Sequence, residues 1–172
     1  EVLALIHLVN TYMRFTTYNE IRHKIKTGDV YFTASKGLVG KSTRTISRSE
    51  VSHCGLFKLS EGRVTMLEAQ LGKGIQEVYA STSLKDEPIY YMDTSLIRKR
   101  HGITDKHIKD FFERCEGQSY DTIGMLLSLF FKVPNKRFFC SEMVAHVLKI
   151  QMPHLRRNMT PADIFTALYL LR

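Results

Sequence analysis

The chain has 172 residues, of which 44% are hydrophobic, so it is long and apolar enough to bury the core of one domain and is not a disordered chain. Its formal net charge of +8 favours either a solvated basic surface or an anionic partner. Three cysteines without a Cys-x-x-Cys pair predict neither a disulfide framework nor a zinc site, and we expect no metal and no cofactor. No stretch approaches the roughly 18 apolar residues of a membrane span.

Two regions are predicted along the chain. Residues 1–26 are expected to form an N-terminal helical extension, in which Thr17 and Glu20 have the spacing of a capping box. Residues 27–172 are expected to form a single compact domain. The chain begins with Glu1 and shows no signal peptide, but an upstream segment could have been removed, so its localisation is left open.

The order of the remaining elements predicts an α+β fold with helices packed on a mainly antiparallel sheet. Five apolar, β-branched runs are expected to be strands: 30–33, 52–59, 64–70, 75–79 and 89–92. Helices are expected to begin after Thr104, near 123, at Cys140 and after Thr160. The segments 36–48 and 96–103 are expected to be loops.

The second and third strands are predicted to form a hairpin, because Ser60-Glu61-Gly62-Arg63 is a turn signal between them. If the turn closes on Glu61-Gly62, the facing pairs are Leu59 with Val64, Gly55 with Glu68 and His53 with Gln70. Side chains alternate along a strand, so His53, Gly55, Glu68 and Gln70 then share one face, while Cys54 points to the other face and into the core.

This register predicts a histidine held by a polar partner. His53 and Glu68 are diagonal neighbours, roughly 7–8 Å apart at the backbone, and a carboxylate there can accept one ring N–H and leave the other ring nitrogen as a base. Gly55 is expected to leave the space between them open. Gln70, directly opposite His53, is the alternative orienting residue.

Cys140 is predicted to lie in the first turn of an apolar helix. A cysteine in such a helix is more often a core residue, and Cys54 and Cys115 are interpreted in that way. The N-terminus of a helix favours negative charge, however, and a nearby imidazolium would lower the thiol pKa from about 8.5 towards 3.5–7.5. Because His53 and Glu68 accompany it, Cys140 is interpreted as a nucleophilic thiolate.

The ordered set of motifs resembles the circularly permuted papain-like, NlpC-type cysteine hydrolases, which include bacterial and large-DNA-virus members. The motifs are the strand 28–32, Ser52-His53-Cys54-Gly55, Leu67-Glu68-Ala69, Gly74-Ile75, the segment 117–121 and Cys140-Ser141-Glu142. The resemblance implies a papain-like fold in which the cysteine helix follows the histidine strands. It also implies that Cys140 is the nucleophile, His53 the base and Glu68 its partner, with Tyr120 shaping the site or its oxyanion region.

The expected function is a thiol hydrolase, a peptidase, amidase or acyl hydrolase, that acts through an acyl-enzyme; an acyltransferase is the close variant. Arg44, Arg48, Lys136 and Arg137 are predicted to flank the cleft and to favour an anionic peptide, peptidoglycan or lipid substrate. The alternative is a non-catalytic binding or virion-structural protein that keeps the fold and uses its basic surface, with nucleic acid or a membrane surface as partner.

One further segment looks like a phosphate-binding loop. Residues 35–42 nearly match the pattern G-x-x-x-x-G-K-[ST], but Ser35 replaces the first glycine. The residues that follow are β-branched and precede a hairpin, whereas that motif needs a helix and a parallel crossover. Nucleotide hydrolysis is therefore not expected.

Overall fold

The computed structural model describes residues 15–34, 45, 49–70, 74–118, 140–151 and 159–171, with the backbone alone at 69 and 70. Within these ranges the protein is an α+β fold built on a five-stranded antiparallel sheet with the strand order β4-β3-β2-β1-β5. No helix in this part of the chain is long and apolar enough to cross a membrane.

The elements are numbered here in chain order. The strands are β1 (Val30–Thr33), β2 (His53–Ser60), β3 (Arg63–Gln70), β4 (Gly74–Tyr79) and β5 (Ile89–Met92). The helices are α1 (Tyr18–Ile21), α2 (Ala80–Ser83), α3 (Ser95–His101), α4 (Asp105–Cys115), α5 (Cys140–Leu148) and α6 (Pro161–Leu170). The five predicted strands are thus present, each within one residue of its expected bounds.

The hairpin of β2 and β3 has the predicted turn. Leu59 faces Val64, and Glu61 and Gly62 occupy the two central turn positions with φ of +50° and +74°. Two central residues with positive φ give a turn whose twist matches the right-handed twist of the flanking strands. The turn residues therefore set the register of the whole hairpin.

Strand β2 changes partners along its length. Its C-terminal half pairs with β3 from Phe57–Met66 to Ser60–Arg63, and its N-terminal half pairs with β1 from Val30–Leu56 to Thr33–His53. The pairings of Gly55 with Glu68 and of His53 with Gln70 were expected by extending the hairpin register. Among the described residues the β2–β3 ladder ends before them, and Glu68 and Gln70 pair with Gln76 and Gly74 of β4.

The sheet separates two hydrophobic cores. Residues alternate along β1, so Val30 and Phe32 lie in the larger core with helices α3 to α6, while Tyr31 lies in the smaller core with α1 and α2. Cys54 and Cys140 both belong to the larger core, and Phe57 belongs to the smaller one. The prediction that Cys54 points into the core is confirmed.

The described part of the N-terminal region is less helical than predicted. Helix α1 has four residues, and the carboxylate of Glu20 accepts the backbone N–H of Thr17 at 3.0 Å. The chain then turns, because the carboxylate of Asp29 accepts the backbone N–H of Lys26 at 2.8 Å. Thr16 pairs with Ile89 of β5, so this region packs on the sheet. The helix predicted within residues 1–14 lies outside the described residues.

Most helix boundaries follow the predicted caps. Thr104 caps α4, whose residues Ile108, Phe111, Phe112 and Cys115 are buried on one face, and Thr160 caps α6 with Pro161 at its first position. The helices at Cys140 and after Thr160 are present as expected, and the stretch near 123 lies outside the described residues.

The prediction of a loop over 96–103 is wrong, because this segment contains helix α3. Ile97 is buried in the larger core, and Gly102 ends the helix with a left-handed φ of +64°. Arg98, Lys99, Arg100 and His101 fill the last turn, where cations interact favourably with the helix C-terminus. These four residues therefore stabilise the end of a helix.

Candidate active site

Cys140 is the first residue of α5 and is buried, with 7% of its surface exposed. Hydrogen bonding by Cys54, together with the charge and hydrogen bonding of His53, outweighs burial and holds the pKa of Cys140 well below its usual value. The sulfur is therefore stabilised as a thiolate.

His53 is the first residue of β2 and is half-buried. Burial favours its neutral form, but the charge of Cys140, the hydrogen bond with Cys140 and the charge of Glu68 together raise the pKa of His53 above its usual value. The opposite shifts of the Cys140 and His53 pKa values favour a thiolate–imidazolium pair. That Cys140 and His53 act as nucleophile and base stays a prediction.

Glu68 reaches the site from β3. Its carboxylate accepts the hydroxyl hydrogen of Ser83 in α2 at 2.6 Å, and its negative charge is among the causes that raise the pKa of His53. Glu68 thus acts on the imidazole through its charge, while Ser83 helps to fix its orientation. A direct hydrogen bond from the His53 ring to this carboxylate stays a prediction.

Tyr31 is a member of the site that the sequence did not reveal. Its side chain is fully buried, and its hydroxyl lies 3.5 Å from Nε2 of His53. Burial, with the negative charges of Glu68 and Cys140, raises the pKa of Tyr31 well above its usual value, so the hydroxyl keeps its proton. A protonated hydroxyl can donate a hydrogen bond beside the imidazole.

The expectation that Gly55 leaves open space is wrong, because the ring of Tyr31 fills that space. Gly55 faces Tyr31 in the β1–β2 register, and a Cβ at Gly55 would lie 2.6 Å from Cζ of Tyr31. A glycine inside a strand often marks such a close approach. In the sequence, Gly55 was therefore the feature that could have indicated a close neighbour such as Tyr31. It identifies that neighbour only when the pairing of β1 with β2 is known.

The other predicted site residues cannot be placed as side chains. Tyr120, Arg44, Arg48, Lys136 and Arg137 lie outside the described residues. Gln70 is described by its backbone, which pairs with Gly74. Its role as an alternative orienting residue, like the site-shaping role of Tyr120 and the contribution of the four basic residues, stays a prediction.

One solved bacterial structure has a fold similar to that of this chain. A comparison with protein families finds no match to this chain, and a comparison with curated proteins finds none. The crystal structure of metalloprotein yiiX from Escherichia coli O157:H7 matches with a TM-score of 0.55 and 20% sequence identity. The match covers 72% of this chain and 64% of that one. At this identity the similarity concerns the fold.

The same neighbour raises the question of a metal site in this chain. Within the part of the chain that the structure describes, no group of three or more His, Cys, Asp and Glu side chains is placed to hold a metal ion. Cys140 and His53 are instead engaged with each other.

Proposed function

We propose that the protein is a thiol hydrolase that cleaves an amide or ester through a covalent acyl-enzyme on Cys140. The observation that carries the proposal is the packing of α5, which begins with Cys140, against β2, which begins with His53. The directions of the two pKa shifts agree with it, since that of Cys140 lies well below and that of His53 above the usual value. A thiolate beside an imidazolium is the resting form of a cysteine nucleophile with its acid–base partner.

In the proposed reaction the thiolate of Cys140 attacks the substrate carbonyl carbon directly, because its proton already resides on His53. The C–S bond forms as the carbonyl becomes an oxyanion, and backbone N–H groups at the start of α5 stabilise that charge. The imidazolium of His53 then donates its proton to the leaving nitrogen or oxygen, which completes the acyl-enzyme.

Deacylation uses His53 in its neutral form. The imidazole takes a proton from water, the resulting hydroxide attacks the thioester, and the thiolate leaves and accepts the stabilising hydrogen bonds again. If an alcohol or amine takes the place of water, the same step is acyl transfer. The negative charge of Glu68 favours the imidazolium in both half-reactions, and the hydroxyl of Tyr31 restrains the ring at Nε2.

The chain order of the site supports the permuted papain-like, NlpC-type arrangement as part of this proposal. His53 and Glu68 lie on two strands of the sheet, and the helix that begins with Cys140 follows them in the chain. In ordinary papain-like enzymes the cysteine helix comes first. The proposal therefore assigns this chain to the permuted branch, with Tyr120 as a further site residue.

The proposed substrate is an anionic molecule with an amide or ester bond, such as a peptide, a peptidoglycan fragment or a lipid. The net charge of +8 supports an anionic substrate, and Arg44, Arg48, Lys136 and Arg137 are the proposed contributors. Attraction of this kind weakens as salt screens it, so capture of the substrate should depend on ionic strength while the chemical step does not.

The test is the detection of the acyl-enzyme. The full chain is incubated with activated ester and amide probes built on a peptide, a muropeptide and a lipid, quenched in acid, and measured by intact-protein and peptide mass spectrometry. We expect an acyl adduct on the tryptic peptide that contains Cys140. Cys140→Ala should abolish the thioester adduct, and Cys115→Ser, a matched change of a buried thiol in another helix, should leave it unchanged.

The non-catalytic alternative predicts the opposite result. A binding or virion-structural protein should retain an anionic partner, such as nucleic acid or anionic lipid, through its charge of +8. Its binding should be unaffected by Cys140→Ala, and no probe should acylate the protein. Retained binding together with the absence of any acylation would exclude the hydrolase and support the binding or virion-structural protein.

A further inference from the structure

A small cavity lies between helices α4 and α5, towards the end of α5 that is farther from Cys140. Its volume is about 200 Å³, and the two helices pack against each other beside it. His146 lines the cavity and, at a helical rise of about 1.5 Å per residue, lies roughly 9 Å from Cys140 along the axis of α5. The cavity is therefore separate from the candidate active site.

The floor of the cavity is apolar. It is formed by Ile103 just before α4, by Phe111 of α4 and by Val147 of α5, which are all buried members of the larger core. The ring of His146 stacks on Phe111 with 5.7 Å between the ring centroids. Apolar surface that borders a cavity open to solvent favours the apolar part of a ligand over water. A purely ionic ligand would leave this floor unused.

The rim of the cavity is basic. Four exposed side chains form it, two on α4 and two at the end of α5: His107, Arg114, His146 and Lys149. Arginine and exposed lysine carry a positive charge at neutral pH, and even a neutral imidazole offers an N–H donor. Among the described residues that line the cavity, none is acidic. An apolar floor with a cationic rim is complementary to a small organic anion.

Two carboxylates near this rim do not line the cavity. Asp110 of α4 interacts with the charge of Arg114, but its carboxylate forms an ion pair with Lys106 at 2.7 Å. The hydrogen bond from Lys106 is the main cause that lowers the pKa of Asp110. Glu142 lies one turn before His146 on α5 and is likewise outside the lining. Because Lys106 already supplies a counter-charge to Asp110, the rim keeps an excess of positive charge.

Contacts with the backbone hold two of the rim side chains in place. Nδ1 of His107 accepts the backbone N–H of Thr104 at 3.1 Å, so a neutral ring carries its proton on Nε2 and can donate it to a ligand. The ammonium of Lys149 donates to the carbonyl of His101 at 3.0 Å, which uses one of its N–H groups. Side chains that are restrained before binding lose less conformational entropy when a ligand arrives.

We propose that this cavity binds a phosphate monoester that carries a small apolar group, such as an aryl phosphate. The charges of Arg114 and Lys149 match the two negative charges of the phosphate, and both side chains are common ligands of phosphate oxygens. The apolar group of the ester lies on the floor. A volume of about 200 Å³ is below the roughly 300–1,000 Å³ of pockets for drug-sized ligands, so the ester is small. The site is additional to the proposed hydrolase and does not depend on it.

The test compares three probes that separate the charge from the apolar group. The full chain is titrated with phenyl phosphate, inorganic phosphate and benzyl alcohol by isothermal titration calorimetry. We expect saturable binding of phenyl phosphate in the millimolar range or tighter, weaker binding of inorganic phosphate, and none of benzyl alcohol. Absence of saturable binding of phenyl phosphate would overturn the proposal. Equal affinity for inorganic phosphate would also overturn it, because the floor would then contribute nothing.

Variants locate the site. Arg114→Gln combined with Lys149→Gln should weaken the binding of phenyl phosphate about tenfold or more, because hydrogen bonds to a charged group are lost. Lys99→Gln combined with Arg100→Gln removes the same charge from exposed positions at the end of α3 outside the lining, and should leave the affinity nearly unchanged. Equal losses in the two double variants would assign binding to the overall charge and overturn the proposal. Arg114→Gln alone, an exposed change, decides the matter if the double variant does not fold.

One further arm separates two sources of the same chemistry. Phenyl phosphate represents both a free aryl phosphate and the end of a phosphotyrosine side chain. Tighter binding of a short phosphotyrosine peptide than of phenyl phosphate would identify a peptide as the source, and weaker binding would identify a free ester. Binding at this cavity is measured without any reaction at Cys140, so its outcome is independent of the test for the acyl-enzyme.

Discussion

The hydroxyl of Tyr31 lies 3.5 Å from Nε2 of His53, although the two residues belong to different strands and Tyr31 is fully buried. The contact is possible because Gly55 has no side chain and the ring of Tyr31 occupies the space above it. One face of β2 thus positions the imidazole, while Cys54 on the other face lies in the larger core with Cys140. Strand β2 contributes to both sides of the candidate site.

The first prediction concerns the reactivity of the three thiols. Below neutral pH, Cys140 should react with iodoacetamide well before Cys54 and Cys115, because its pKa is lowered while theirs are raised. Its rate should fall only as the pH drops through its lowered pKa. Limited labelling at a series of pH values, read by peptide mass spectrometry, measures this order, and labelling of Cys140 that rises only near pH 8.5 would contradict the thiolate.

The second prediction isolates the Tyr31 hydroxyl. Tyr31→Phe should lower turnover or Cys140 alkylation by about fivefold, because a long hydrogen bond of this kind is worth about 1 kcal/mol. Stability should change little, since the ring is retained. Tyr90→Phe, the same change in the core on the other face of the sheet, is the matched control and should leave the rate unaltered. Equal effects of the two variants would assign Tyr31 to packing alone.

The third prediction concerns Glu68 and the pH profile. Removing its negative charge destabilises the imidazolium, so Glu68→Gln should lower the pKa of His53 and move the alkaline limb of the rate profile to lower pH. The rate at the optimum should fall about fivefold, for an ion pair worth on the order of 1 kcal/mol. Glutamine can still accept the hydroxyl of Ser83, so the local structure is kept.

Two variants complete that comparison. Glu113→Gln removes the same charge from an exposed position of α4 and should leave the alkaline limb in place. Gln70→Ala should have much less effect than Glu68→Gln. If Gln70→Ala has the larger effect, Gln70 orients the imidazole and the assignment of Glu68 is wrong.

The fourth prediction tests the packing of Tyr31 on Gly55. Gly55→Ala should destabilise the protein by about 1–3 kcal/mol, because the new methyl group overlaps the Tyr31 ring and overpacks the core. In a Tyr31→Leu background the same substitution should be less harmful, since the shorter side chain leaves room. Urea unfolding of the four proteins gives the coupling energy, and additive effects would show that the two residues do not interact.

The sequence was sufficient for features that depend on local patterns. The apolar, β-branched runs predicted the five strands, and Glu61-Gly62 predicted the hairpin register because positive φ at both positions selects one turn. Helix α3 was missed because Ile97 is the one residue of this helix that is buried, and its burial is set by tertiary packing.

The contacts that complete the site depend on pairing between distant segments. Tyr31 was missed because its position above Gly55 follows from the β1–β2 register, and no turn joins those strands directly to fix it. The influence of Cys54 on the pKa of Cys140 was missed for a related reason. Alternation correctly directed Cys54 into the core, but the sequence does not say that α5 packs against β2.

The shifted pKa of Cys140 makes its thiol a natural reporter of folding. His53 and Cys54 come from the first third of the chain and Cys140 from the last, and in an unfolded chain all three thiols would ionise alike. During synthesis the imidazole leaves the ribosome long before the sulfur that it activates. The high reactivity of Cys140 can therefore arise only once the C-terminal helices dock. An alkylating probe at mildly acidic pH would then modify fully folded molecules and leave nascent or misfolded ones unmodified.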